Sequence, residues 1–139
     1  MNLTMAAVKE MTPNKSGAIV MINSLITKKP LPTQGGYAAS KGALKMLMES
    51  ICQEYAPLKI RCNSIAPGAI KTDINKDAWE TESALRELYK VIPYKRIGVP
   101  EDVGDTAAWL ASDESDYING TTLFVDGGMT CYPGFTTNG

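Results

Sequence analysis

Residues 17–24 read Gly17-Ala18-Ile19-Val20-Met21-Ile22-Asn23-Ser24, an apolar run that ends in two polar side chains. The run does not alternate apolar and polar positions, which is typical of a strand covered on both faces of a parallel sheet. It is also far shorter than the roughly 20 residues that a membrane-spanning helix needs. We therefore expect a buried strand over residues 18–22, with Ser24 just beyond its carboxyl end.

Helix patterns alternate with strand patterns on both sides of this run. The three-residue spacing of Met5, Val8 and Met11 predicts a helix that ends before Pro13. A long helix is predicted over residues 37–56, ended by Pro57, because apolar residues recur there at helical steps. Those residues are Leu44, Leu47, Met48, Ile51 and Tyr55.

The rest of the chain continues the alternation. Residues 59–65 and 121–125 are predicted to be strands, and residues 71–98 a polar loop carrying one or two short helices. Pro100 suits the first turn of a further helix, whose apolar stripe would be Val103, Ala107, Leu110 and Ala111. The order helix, strand, helix, strand, helix, strand predicts an α/β fold with a parallel sheet and helices on its faces.

Composition excludes several classes of function. The 139 residues are 44% apolar and 21% charged with a formal net charge of −1, so we expect a globular protein that binds neither nucleic acid nor a membrane. Residues 1–9 lack the features of a secretory signal, which favours a cytoplasmic location. Since the chain has no histidine, it can hold neither a Ser-His-Asp triad nor an HExxH zinc motif. Cys52, Cys62 and Cys131 are expected to be buried, reduced thiols rather than metal ligands.

Tyr37 and Lys41 are four residues apart in the predicted helix, so their side chains share a face. An ammonium close to a phenol favours the phenolate, and Tyr37 could then act as a general base toward an alcohol or as an acid toward a carbonyl. The alternative is a core-facing tyrosine beside a solvated lysine. Ser24 and Pro67-Gly68 follow the first two strands, at the sheet edge where parallel sheets bind ligands. Gly68 is expected there because a glycine lets the backbone approach a ligand closely.

Four motifs, in this order along the chain, resemble the short-chain dehydrogenase/reductase family. The first is the run 17–24 followed by Tyr37-Ala38-Ala39-Ser40-Lys41. The second is Ile60-Arg61-Cys62-Asn63-Ser64-Ile65-Ala66-Pro67-Gly68-Ala69-Ile70-Lys71-Thr72. The others are Pro100-Glu101-Asp102-Val103 and Asp126-Gly127-Gly128. The final stretch, which includes Leu123-Phe124-Val125, Tyr132-Pro133 and Phe135, is further similar to bacterial glucose 1-dehydrogenases.

The resemblance implies a Rossmann-like, doubly wound parallel sheet and NAD(P)-dependent oxidation of a hydroxyl, with glucose or a related sugar as a candidate substrate. It implies that Ser24 binds the substrate oxygen, that Tyr37 exchanges the proton and that Lys41 binds the nicotinamide ribose. Cofactor-binding residues would be Tyr37, Lys41, Pro67, Gly68, Ile70 and Thr72, with NAD or NADP as the cofactor. Residues 73–94 would correspond to the substrate loop, and full-length members are expected to form homo-oligomers.

The chain departs from the family pattern at its beginning. The glycine-rich turn that holds the pyrophosphate in dinucleotide folds and the Asn-Ala-Gly segment after it do not occur in the sequence. Residues 1–139 are therefore expected to be the C-terminal part of one Rossmann-like domain, with about three strands and with residues 18–22 at an open sheet edge. Asn23 stands where many members have a second serine.

Two other functions remain open. The chain could be a truncated, non-catalytic product that misfolds or associates with full-length relatives through its C-terminal helix and strand. It could also be a Ser24-Lys41 hydrolase, although no Gly-x-Ser-x-Gly elbow surrounds Ser24.

Overall fold

The computed structural model describes residues 2–131, which form three strands and four α-helices joined by short 3₁₀ turns. The elements are α1 (Asn2–Met11), β1 (Gly17–Ile22), α2 (Gly35–Tyr55), β2 (Ile60–Pro67), α3 (Glu82–Val91), α4 (Pro100–Ala111) and β3 (Thr122–Val125). The predicted order of elements is confirmed, and the predicted polar loop holds α3 and a 3₁₀ segment at Asp73–Ala78. Residues 132, 133 and 135 of the final motif lie outside the described part of the chain.

The sheet is parallel, with β2 between β1 and β3. Ile22 is opposite Ile65, and Pro67 is opposite Val125, so β1, β2 and β3 end at the same edge. The connections that follow β1 and β2 therefore both begin at this edge, as expected for the ligand-binding side of a parallel sheet. The α/β fold class is confirmed.

Helices cover both faces of β2. Cys62 packs in a cluster with Val8 of α1, Met21 of β1 and Met48 and Ile51 of α2. The side chain of its neighbour Arg61 bonds to the end of α4 on the other face. Successive strand residues point to opposite faces, so residues 60–66 of β2 are all buried.

The prediction that residues 18–22 are buried on both faces was wrong in part. β1 pairs with β2 on one side and has no partner strand on the other within residues 2–131. Only Met21 of this strand is fully buried, and Ile22 is 49% exposed. The predicted open sheet edge at residues 18–22 is present within residues 2–131, where β1 is an edge strand. The strand with helices on both faces is β2 and not β1.

Two further predictions of burial need correction. Ala111 was expected in the apolar stripe of the last helix, but it lies at the exposed C-terminal end of α4, after the buried Leu110. Cys131 is exposed, whereas Cys62 is buried and Cys52 is partly buried. Burial raises the pKa of the Cys62 thiol to about 12. Within residues 2–131 no helix has the length and hydropathy needed to cross a membrane.

Candidate active site

A cavity of about 590 Å³ opens at the carboxyl ends of β1 and β2. All seven residues assigned to catalysis or cofactor binding from the sequence line it: Ser24, Tyr37, Lys41, Pro67, Gly68, Ile70 and Thr72. The remaining lining residues are Ile22, Asn23, Ile74, Asn75, Pro100 and Val103. The fold thus brings together residues that are far apart along the chain: Ser24 and Thr72, the first and last of the seven, are separated by 48 positions.

Hydrogen bonds to its N–H, its hydroxyl and its carbonyl hold Ser24 in place. Its N–H donates to Oδ1 of Asn23 at 3.0 Å, and its Oγ accepts the N–H of Ile26 at 3.3 Å. Its carbonyl accepts from the hydroxyl of Thr27 at 2.9 Å. Ser24 is therefore the N-cap of the 3₁₀ turn Leu25–Thr27, which fixes its hydroxyl beside the end of β1.

Tyr37 and Lys41 lie in the first two turns of α2. The Lys41 ammonium is 5.6 Å from the centre of the Tyr37 ring and donates to the carbonyl of Ile22 at 3.0 Å. Tyr37 is 47% exposed, so it is not the core-facing tyrosine of the alternative interpretation. The four-residue spacing thus places a cation beside the phenol at the mouth of the cavity.

The structure gives a packing reason for Gly68 that the sequence argument did not include. A Cβ there would stand 2.7 Å from Cα of Asp126 and 3.0 Å from Sδ of Met129. The Gly68 N–H also donates to the carbonyl of Val125 at 3.0 Å. A glycine is therefore required where the end of β2 packs closely on the turn after β3, and its proximity to a ligand stays a prediction.

A small polar cluster, which the sequence analysis missed, orders the outer wall of the cavity. Oδ1 of Asn75 accepts from the Thr72 N–H at 3.1 Å and from the Thr72 hydroxyl at 2.8 Å. The indole N–H of Trp79 donates to the Thr72 carbonyl at 3.1 Å. The signal that could have identified Asn75 is its position three residues after a threonine, which is the spacing of a helix-capping pair.

Lys41 is the single charged side chain among the described residues that line this cavity. A neighbouring cavity of about 420 Å³ is also lined by Ile70, and two of its charged side chains, Arg96 and Asp102, form an ion pair with each other. There both nitrogens of the Arg96 fork donate to Asp102, at 2.7 and 3.0 Å, and these bonds lower the pKa of Asp102 to about 2. Residues 2–131 contain no cluster of carboxylates and thiols suited to a metal ion.

The donor set fits the nicotinamide and ribose end of a dinucleotide. After its bond to Ile22, the Lys41 ammonium keeps two N–H groups for ribose hydroxyls. The phenol of Tyr37 and the hydroxyl of Ser24 can each donate and accept. Within residues 2–131, however, no strand leads through a glycine-rich turn into a helix that could hold the pyrophosphate.

Comparisons with known proteins show which family the chain resembles. The family profile described as enoyl-(acyl carrier protein) reductase matches residues 1–130. The chain is 48% identical over 119 residues to 3beta-hydroxysteroid dehydrogenase 1 of Eggerthella lenta, covering 86% of this chain and 46% of that protein. It is 46% identical over 129 residues to glucose 1-dehydrogenase 2 of Bacillus subtilis, covering 92% and 50%. The chain thus spans about half the length of the curated relatives it matches.

Solved structures give the same result. The fold is similar to a gluconate 5-dehydrogenase from Burkholderia cenocepacia, crystallised with NADP and tartrate, at a TM-score of 0.87 and 36% identity. That match covers 93% of this chain and 51% of the other. With the family profile matching nearly its whole length, the chain belongs to the short-chain dehydrogenase/reductase family.

Proposed function

We propose that the chain is the catalytic half of an NAD(P)-dependent oxidoreductase that oxidises a CH–OH group to a carbonyl, for example a secondary alcohol to a ketone. The observation that carries the proposal is that Ser24, Tyr37 and Lys41 line one cavity at the carboxyl ends of β1 and β2. The cofactor side would be Pro67, Gly68, Ile70 and Thr72 together with Tyr37 and Lys41. Either NAD or NADP is compatible with these residues.

Each side chain has a distinct task. Ser24 Oγ holds the substrate hydroxyl oxygen, and the Tyr37 phenolate takes the proton from that oxygen as the C=O bond forms. Lys41 binds the ribose and stabilises the negative charge of the phenolate. When bound, the nicotinamide supplies the hydride acceptor. The balance is one alcohol and one oxidised cofactor giving one ketone, one reduced cofactor and one proton.

The relatives are named for different substrates. One is a glucose dehydrogenase and another a hydroxysteroid dehydrogenase. Resemblance alone therefore supports an alcohol substrate, with glucose or a related sugar as the expectation from the C-terminal motif. A cytoplasmic location remains a prediction from the N-terminal sequence.

The test is a chimera that places this chain behind the N-terminal half of the Bacillus subtilis relative. Reduction of NAD and of NADP is followed by absorbance with a panel of secondary alcohols and sugars. Turnover that is lost in Tyr37→Phe supports the proposal. A chimera that folds, binds the cofactor and oxidises nothing in the panel contradicts it. Ester hydrolysis without cofactor, lost in Ser24→Ala, would instead favour a Ser24-Lys41 hydrolase.

A second candidate function follows from the open edge of β1. Within residues 2–131 one edge of β1 has no partner strand, and an uncharged open edge can pair with another polypeptide, so the chain could associate with full-length relatives without catalysing anything. Co-purification with a full-length relative, without change in that relative's specific activity, would favour this alternative.

A further inference from the structure

The polar side chains in the cavity differ in how much of their hydrogen-bonding capacity is already used. Asn75 is largely engaged. Its Oδ1 accepts from the Thr72 N–H, from the Thr72 hydroxyl and from the Trp79 indole N–H, the last at 3.3 Å. Its Nδ2 donates to the Ile70 carbonyl at 2.8 Å. Asn75 and Thr72 thus use most of their hydrogen bonds within this cluster, and they keep for a ligand one N–H of the Asn75 amide and the lone pairs of the Thr72 hydroxyl.

Asn23 is closed to a ligand. The residue is 3% exposed, and its Oδ1 accepts the Ser24 N–H at 3.0 Å. Its Nδ2 has no hydrogen-bond partner, but that atom is buried beneath the surface of the cavity. The bond to Ser24 sets the orientation of the amide, so Asn23 supports Ser24 and does not offer a donor to the cavity.

The remaining polar side chains are Ser24, Tyr37 and Lys41, and all three are occupied in the proposed reaction by one hydroxyl and the ribose. The rest of the wall is hydrocarbon: Ile22, Ile70, Ile74, Pro100 and Val103. Ile70 is shared with the proposed nicotinamide side. A substrate skeleton therefore meets Ile74, Pro100 and Val103.

The entrance of the cavity carries an exposed apolar side chain, Ile74, which is 99% exposed. It follows Thr72 and precedes Asn75, whose mutual bonds fix the turn that carries it. When an apolar ring covers this isoleucine, apolar surface leaves water, and this favours binding. A sugar gains little there and loses water from hydroxyls that find no partner.

We propose that the cavity selects a secondary alcohol carried on an apolar ring skeleton, and not a polyhydroxylated sugar, with Ile74 as a specificity-determining contact. This inference rests on the proposed oxidoreductase function, and it departs from the sugar expected from the C-terminal motif. Beyond the groups that hold the reacting hydroxyl, the described wall of the cavity offers a substrate few hydrogen bonds and mostly hydrocarbon.

The test measures binding to the 139-residue chain, without cofactor, by NMR of labelled isoleucine and valine methyl groups. The probes are decahydro-2-naphthol, a bicyclic secondary alcohol, and D-glucose. We expect saturable shifts of the Ile74 and Val103 methyls with the bicyclic alcohol and none with glucose. Ile74→Asn should weaken binding roughly tenfold, since most of an isoleucine side chain is lost from the contact, and Ile74→Leu should restore it. Tyr117→Ser, at a fully exposed residue beside the start of β2, is the matched control and should bind like the unchanged chain.

Three results would overturn the inference: saturable glucose binding at these methyls, no saturable binding of the bicyclic alcohol, or shifts that Ile74→Asn leaves unchanged. The chimera gives an independent measurement. There, Ile74→Asn should lower kcat/KM for the bicyclic alcohol about tenfold through KM and leave propan-2-ol nearly unaffected. Efficient glucose turnover would uphold the oxidoreductase and reject this substrate class. Binding of the alcohol without any turnover would uphold the apolar site and reject the oxidoreductase.

Discussion

The ammonium of Lys41 donates a 3.0 Å hydrogen bond to the carbonyl of Ile22, the last residue of β1. Across the same peptide bond, the N–H of Asn23 donates to Ile65 of β2. Because the C=O and N–H of a trans peptide point in opposite directions, the Ile22 carbonyl faces the open edge of the sheet. Lys41 therefore lies in the proposed active site and also caps the end of this edge.

Tyr37→Phe in the chimera is expected to lower kcat about 10²–10⁴-fold with little change in cofactor affinity, because the variant loses only the oxygen that exchanges the proton. Stopped-flow turnover and a fluorescence titration with NAD(P)H measure the two quantities. Tyr89→Phe, on α3 and outside both cavities, is the matched control. Near-normal kcat in Tyr37→Phe would show that another group moves the proton.

Lys41→Ala is expected to weaken cofactor binding and turnover together, since one side chain serves both the ribose and the phenol. It should also leave the Ile22 carbonyl free at the edge of β1. The same two measurements apply, and Lys45→Ala, one turn further along α2 and paired with Glu49, is the control. Unchanged cofactor affinity in Lys41→Ala would contradict the ribose role.

The sequence predicted a set of residues that line one cavity, because these residues follow short, strongly patterned elements. Ser24 follows a five-residue apolar run, and Tyr37 and Lys41 are related by one helical turn. The cause of the Gly68 requirement was not predictable, because Asp126, its close neighbour, is 58 positions away along the chain. The exposure of Ala111 was missed because periodicity fixes a helix face but not where the covering layer ends, and that of Cys131 was missed because residue type alone does not fix burial.

Arg61→Ala is expected to lower the free energy of unfolding by about 2–4 kcal/mol, because the variant loses the packing and the hydrogen bonds of a buried guanidinium. Its guanidinium donates to the carbonyls of Leu110 and Ser112, at 2.8 and 3.0 Å, and to the hydroxyl of Ser115. These bonds cap the C-terminal end of α4. Urea unfolding measures the loss. Arg86→Ala removes an exposed arginine paired with Glu82 and should change stability by less than about 0.5 kcal/mol. Equal effects of the two variants would contradict this role of Arg61.

Asp102 should make folding sensitive to acid. Two bonds from Arg96, and one from the Val99 N–H at 2.7 Å, lower the pKa of its carboxyl to about 2. A group whose pKa is lower in the folded state stabilises the fold above its unfolded pKa, near 4, and this contribution is lost as the pH falls toward 2. The Tm difference between the chain and Asp102→Asn should therefore be constant above about pH 4 and shrink below it. Glu101→Gln is the control, and a Tm difference that does not change with pH would contradict the argument.

The chain by itself is expected to self-associate through β1 and to bind no dinucleotide with useful affinity. Ala18, Val20 and Ile22 direct main-chain groups to an edge that no strand covers within residues 2–131, and the stretch 18–22 carries neither charge nor proline to block pairing. Lys41 covers only its last carbonyl. Light scattering should show oligomers, and Ile22→Lys should reduce them because it places a charge on the edge. Ile74→Lys changes a more exposed isoleucine that is not part of β1 and should leave the oligomers unchanged.

Because residues 2–131 contain no glycine-rich turn between a strand and a helix that could hold a pyrophosphate, fluorescence of Trp79 and Trp109 should not respond to NAD(P)H beyond the inner-filter effect. A monomer that reduces NAD(P) with any alcohol would refute both expectations, since it would show that the described strands form a closed and sufficient site.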